Sequence, residues 1–310
     1  MAEVGTNSIK AWILAARPKT LSGAAVPVIV ALTKAWADTD SIAWIPALLC
    51  LLFALIMQID ANFVNDYFDC IKGVDGKDRL GPERACAQGW VTLPAMRWMI
   101  AATTLLAAAT GLPLIYWGGM EMIYIGIACI IFCFLYTTLL SRIGMGDLLV
   151  LVFFGIVPVC ATYYLQTRCV TADIVLLSLS CGLVTDCLLV VNNYRDRHTD
   201  RLAGKRTLVT LIGEKATEWL YLGLAALALL LTLPVLRLAT ALLFVWLFVA
   251  HIPTWRYMKM VNYGRELNEI LAMTAQNIAA FSIFLACSIF LLRAYNAIVS
   301  LTEQLNNLYL

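Results

Sequence analysis

Nine long apolar runs set the terms for this chain. About 20 mainly apolar residues carry a helix across the hydrocarbon core of a bilayer. Stretches of that kind occur at 21–37, 42–64, 95–117, 120–140, 147–167, 172–193, 217–237, 239–258 and 268–292. Lipid offers no hydrogen bonds to an exposed backbone, so repeated runs of this length fold as helices. The expected fold is an all-α integral membrane protein, with nine transmembrane helices in one polytopic domain over residues 1–310. Composition agrees: 62% of the residues are apolar and only 14% charged, outside the range of soluble domains. Residues 9–20, with Trp12, Arg17 and Lys19, read as a short interfacial helix leading into the first span. Residues 1–10 are mixed polar and show no secretory leader, so the first span is expected to be retained.

The basic residues fall between the apolar runs, which argues against a nucleic-acid-binding face. Of the 22 Lys and Arg, 18 lie before span 1 or after spans 2, 4, 6 and 8, and 4 lie on the other side: Lys34, Arg168, Arg237 and Arg293. Positive loops stay inside, so the N-terminus is expected inside and the C-terminus outside. The ten cysteines lie mostly within apolar runs, without a C-x-x-C pair or zinc-type spacing, and read as small packing residues.

The two longest loops on the basic face carry the chemistry. The first follows span 2 and contains Asn62, Asn65, Asp66, Tyr67, Asp69, Gly73 and Asp75, then Arg79-x-Gly81-Pro82-x-Arg84. The second follows span 6 and contains Asn192, Asn193, Tyr194, Arg195, Asp196, His198, Asp200, Gly204 and Lys205. Asp66 and Asp69 are three residues apart, Asp196 and Asp200 four, and each spacing puts both carboxylates on one helix face. In both segments a glycine stands four residues past the last acid. The 131-residue offset from Asp69 to Asp200 spans four runs. It predicts an internal repeat, with halves at about 11–140 and 147–258 and an added C-terminal helix at 268–292.

One such motif alone reads equally well as surface salt bridges. Two of them place four carboxylates at helix C-termini, where the macrodipole favours cations. A bound cation is the simplest compensation. Mg²⁺ takes one or two carboxylates together with substrate phosphates, and the interleaved Arg79, Arg84 and Lys205 suit phosphate oxygens. Cation transporters also use intramembrane carboxylates, but their ion sites lie near the midplane. These acids sit at helix ends, beside an Arg-x-Gly-Pro-x-Arg segment that ion transport does not require.

At these residues the chain resembles the UbiA superfamily of membrane prenyltransferases. Asn62-x-x-Asn65-Asp66-x-x-Asp69 looks like its first aspartate-rich motif and Asp196-x-x-x-Asp200 its second. Two longer matches and Arg17-Pro18-Lys19-Thr20-Leu21 are similar to the branch that prenylates 1,4-dihydroxy-2-naphthoate. Where that branch usually has Gly-Leu-Gly-Glu, this chain has Gly144-Met145-Gly146-Asp147. The resemblance implies a nine-helix bundle in the cytoplasmic (inner) membrane of a bacterium, with the site on the cytoplasmic side. The reaction it implies moves a polyprenyl group from its diphosphate to 1,4-dihydroxy-2-naphthoate with loss of CO₂; hydroxybenzoate or homogentisate would be alternative acceptors. It implies Mg²⁺ held by Asn62, Asp66, Asp69, Asp196 and Asp200. It also implies diphosphate clamps at Arg79, Arg84, Lys205 and Lys19, and acceptor contacts at Arg195, Asn193, Tyr67 and Tyr194. Asp60 and Asp186 lie deeper in spans 2 and 6, where ionisable groups are functional candidates by default.

Overall fold

The computed structural model describes residues 4–73 and 79–308. Ser8 caps α1 (Ile9–Ala16) by accepting from the Ala11 N–H at 3.3 Å. Arg17, with φ at 51°, ends that helix, and the turn Pro18–Thr20 redirects the chain into α2 (Leu21–Thr39). There follow α3 (Trp44–Ile71), α4 (Leu93–Gly118), α5 (Glu121–Thr138), α6 (Gly146–Thr167) and α7 (Ala172–Leu202). The short α8 (Leu208–Ile212) precedes α9 (Glu214–Leu236), a limb α10 over 241–261, and α11 (Leu267–Leu308). Among the described residues no strand forms; an isolated parallel bridge joins Ile143 to Arg206.

Among the described residues, eight stretches are long and apolar enough to cross a membrane, and one of them, Glu214–Val261, runs to 48 residues. That one folds back on itself at Arg237, where φ is 53°. Residues at similar distances on either side of the turn meet: the Trp255 indole donates to the Glu218 carbonyl at 2.8 Å, and His251 stacks on Tyr221. It is therefore a helical hairpin of α9 and α10.

The two aspartate motifs are helical rather than loops, which corrects the sequence reading. α3 has 28 residues and α7 has 31. A 31-residue helix is about 46 Å long, so its polar end stands clear of a core of about 30 Å with its backbone hydrogen bonds intact. Gly73 and Gly204, with φ at 64° and 68°, then terminate the two helices. α11 also exceeds its expected 268–292: at 42 residues it continues to Leu308.

Contacts sort the helix ends into two layers. In one layer, Asn268 at the start of α11 donates to the Leu80 carbonyl at 2.8 Å and accepts from Arg195 near the end of α7. In the other, Lys34 of α2 faces Asp173 of α7, Gln166 of α6 accepts from the Ala43 N–H, and Arg293 of α11 pairs with Asp40 while lying over Trp36. α7 is the most buried of the membrane-length helices and packs against α2, α6, α9 and α11.

A candidate diphosphate site at the ends of α3 and α7

A cavity of about 710 Å³ lies between α3 and α7. On α3 its lining follows one face, from Cys50 and Ala54 through Gln58 to Asn62, Asn65 and Asp69. On α7 the lining runs from Thr185 through Leu189 to Asn192, Asp196 and Asp200. The deep part is apolar, walled by Phe53, Leu114, Met122, Phe153 and Leu165. The mouth is polar: among the described lining residues, seven Arg and Lys stand against three carboxylates. They are Arg17, Lys19, Arg79, Arg84, Arg142, Arg195 and Lys205, with Asp69, Asp196 and Asp200.

Each of the three acids is held by a cation. The Arg84 guanidinium donates to Asp69 at 3.2 Å, Arg195 to Asp196 at 2.6 Å and Lys205 to Asp200 at 3.3 Å. Arg195 is only 1% exposed and also donates to Asn192 Oδ1 and Asn268 Oδ1. Gly81 lies directly on it: a Cβ there would stand 2.7 Å from Arg195 Nη2. Arg79 turns back to donate to the Pro82 carbonyl, which shapes the loop over the mouth.

Asp66 takes a different place from the one its motif suggests. It is 1% exposed and lies outside the cavity lining. Its two oxygens accept the backbone N–H groups of Ala85 and Cys86, at 2.9 and 3.1 Å. A buried carboxylate needs such partners, and here it clamps the loop carrying Arg79 and Arg84 onto α3. Asn62 likewise spends its amide N–H groups on the Ala16 carbonyl and Thr20 Oγ1, at 2.9 and 3.0 Å, which fixes the turn bearing Arg17 and Lys19.

The two tyrosines do not reach the cavity. Tyr67 packs edge-on against Phe68 in the cluster around Phe63 and Ala11. Tyr194 is fully buried, donates to Glu218 at 3.1 Å and lies under the Arg197 guanidinium. Asn193 and Arg195 do line it. Asp60 is fully buried between α3 and α4, accepting from Thr103 and Thr104, and so joins those helices. Asp75 falls outside the described residues. Sequence reasoning passed over Asn65, Asn192, Gly81 and Asn268 as site residues. The first three stood inside the quoted motifs, and the fourth had no local signal.

Among the described residues, no three acids, His or Cys gather closely enough to hold a metal alone. The donors at the mouth are nonetheless hard oxygens, from the carboxylates of Asp69, Asp196 and Asp200 and the amides of Asn65 and Asn192. That set suits Mg²⁺ completed by phosphate oxygens.

Residues 24–278 match the model of the UbiA prenyltransferase family. The chain belongs to the UbiA prenyltransferase family. It is 36% identical over 267 residues to the 1,4-dihydroxy-2-naphthoate octaprenyltransferase of Mycobacterium tuberculosis, covering 85% of this chain and 90% of that protein. The protein of the same name from Escherichia coli is 36% identical over 225 residues, covering 69% of this chain and 72% of its own length. In fold, this UbiA family member is similar to a UbiA homolog from Aeropyrum pernix K1, with a TM-score of 0.65, 15% identity and coverage of 86% and 97%. A UbiA homolog from Archaeoglobus fulgidus bound to DMAPP and Mg²⁺ gives a TM-score of 0.61 at 14% identity, covering 90% and 98%.

Proposed function

We propose that this chain transfers a polyprenyl group from a polyprenyl diphosphate to 1,4-dihydroxy-2-naphthoate with loss of CO₂, giving demethylmenaquinone in menaquinone biosynthesis. One observation carries the reading: a single cavity joins a cationic mouth with three carboxylates to an apolar interior. An isoprenoid diphosphate has this same polarity, an anionic head on an apolar tail. The named relatives act on the same acceptor by their printed names.

In this reading Asp69, Asp196 and Asp200, with Asn65 and Asn192, hold Mg²⁺, which supplies Lewis-acid neutralisation of the departing diphosphate. Arg79, Arg84 and Lys205 bind its oxygens, and Lys19 extends the cationic rim. Arg84 and Lys205, now paired with Asp69 and Asp200, would stand within reach of phosphate oxygens once those acids held the metal. The apolar wall excludes water from the allylic cation. Asn193 and Arg195 face the acceptor. Asp66 and Asn62 position the loop and turn that carry the clamps.

The site end of the protein is the cytoplasmic face of a bacterial inner membrane, with the N-terminus inside and nine passes. The 18-to-4 division of Lys and Arg supports this, as does the hairpin at Arg237, which makes two passes of one long run. The deciding experiment offers membranes a labelled polyprenyl diphosphate with either the naphthoate or 4-hydroxybenzoate, with and without Mg²⁺. The expected result is Mg²⁺-dependent prenylation and CO₂ release with the naphthoate alone. Equal use of hydroxybenzoate would reassign the acceptor, and no transfer to either would overturn the reading.

A further inference from the structure

Below the diphosphate end lies a second polar group that the reading above leaves unused. A pocket of about 10 Å³ has room for one water. It is lined by Tyr136, Asp147, Asn193, Lys205 and Thr207. Tyr136, Asn193 and Lys205 also line the main cavity, so the two spaces adjoin. Beside it the Arg206 N–H, bonded to the Arg142 carbonyl at 2.9 Å, ties the segment after α7 to the turn before α6.

Asp147 and Asp186 each keep one buried carboxylate oxygen with no hydrogen-bond partner. Asp186 is 5% exposed. The start of α6 that carries Asp147 packs on α7 one turn from Asp186: a Cβ on Gly146 would stand 3.3 Å from Leu189 and 3.9 Å from the Tyr136 ring. On α7 the positions 186, 189, 193, 196 and 200 alternate steps of three and four, so they share one face. Leu189 and Asn193 on that face line the small pocket. Asp186 extends it inward from Asp196 by ten residues, about 15 Å. The contrast with Asp60 is direct: that buried acid has both oxygens satisfied by threonines, while this pair keeps acceptor capacity unused. Unpaired buried oxygens are costly, and they persist where a ligand or a proton completes them.

We propose that Asp147 and Asp186, reached past Tyr136, form the proton-accepting end of the aromatic acceptor's site. The proposal rests on the prenyl-transfer reading. In the step, the O–H bond of an acceptor hydroxyl breaks and its proton passes to the Asp147–Asp186 pair. The O–H electrons form a ring carbonyl as the ortho carbon, which bears the carboxylate, bonds to the allylic carbon; the bond to the carboxylate then breaks, CO₂ leaves, its electron pair restores the aromatic ring and the proton returns to the oxygen. The allylic C–O bond breaks, and its electron pair leaves on the diphosphate.

The test separates donor chemistry from acceptor chemistry. Purified Asp147→Asn, Asp186→Asn and the double variant are assayed for Mg²⁺-dependent diphosphate release without acceptor, and for transfer to a hydroxylated aromatic acceptor. A third assay uses the same acceptor carrying fluorine, which makes its hydroxyl more acidic. Diphosphate release should stay close to wild type, transfer should fall by about 100-fold, the usual scale for a general base, and the fluorinated acceptor should recover most of the loss. Tyr136→Phe keeps the packing and should show the same pattern more weakly, which covers the case in which an Asp variant does not fold. Wild-type transfer in the double variant would overturn the proposal. So would a parallel loss of diphosphate release, which would make Asp147 a counter-ion for Lys205 on the donor side. Failure of wild type to transfer at all would instead sink the prenyl-transfer reading.

Discussion

Two aspartates three residues apart do different work. Asp69 lines the cavity and Asp66 holds a loop, because the helix turns Asp66 away toward two backbone N–H groups. Asp69→Asn, Asp196→Asn and Asp200→Asn should each lower turnover by about 100-fold or more, the scale of one lost contact to developing charge. All three should still fold, with Asp196→Asn the least stable in thermal unfolding because it leaves the buried Arg195 without its counter-ion. Asp66→Asn should behave otherwise: one N–H of residues 85–86 loses its acceptor, costing about 1–3 kcal/mol. Its unfolding temperature should fall and its KM for the diphosphate should rise, both read from the purified protein. Gly81→Ala pushes against an Arg195 guanidinium that Asn192, Asp196 and Asn268 hold in place. Weaker acceptor binding with an intact fold is the expected outcome, measured as a raised KM for the aromatic acceptor at saturating prenyl diphosphate and Mg²⁺.

At the scale of elements, α6 and α7 meet through glycine. A Cβ on Gly155 would lie 2.5 Å from the Ser178 carbonyl oxygen and 2.8 Å from Gly182 Cα, both backbone atoms that cannot swing aside. Small residues permit such close helix approach in membranes. The contact sits in a π turn over Val152–Ile156, whose Phe153 and Phe154 face the cavity. Gly155→Ala should therefore destabilise the protein by about 1–3 kcal/mol through overpacking and also disturb the cavity wall. Thermal unfolding in detergent checks the first effect. Gly204→Ala is the contrasting case. A Cβ there meets nothing within 4 Å, and only the left-handed backbone is strained, at about 1–2 kcal/mol.

For the whole molecule, the two layers of helix ends make topology testable at exposed positions outside the site. Leu202 stands at the site end and Leu238 at the turn of the hairpin, and both are exposed. On a cysteine-free background, Leu202→Cys should react with an impermeant thiol reagent from the cytoplasmic side only. Leu238→Cys should react only from the opposite side. Labelling of both from one side would break the nine-pass arrangement.

The sequence by itself determined the all-helical membrane fold. Apolar runs of bilayer length leave the backbone no other way to satisfy its hydrogen bonds, and the two runs of the hairpin and the short helix before the first span were legible locally. It also led to the expectation that the two aspartate motifs meet, and Asp69, Asp196 and Asp200 do line one cavity. The reach of α3 and α7 beyond the apolar runs was missed, because hydropathy marks where lipid ends and not where a helix ends. Which acid faces the cavity was decided only by tertiary structure. Asp66 and Asp69 differ by 60° around one helix, and the choice depended on where the N–H groups of Ala85 and Cys86 came to rest. Tyr194 and Asn268 exchanged their expected standing for the same reason. Glu218 drew the tyrosine into the core, while the start of α11, distant in sequence, brought the asparagine to Arg195.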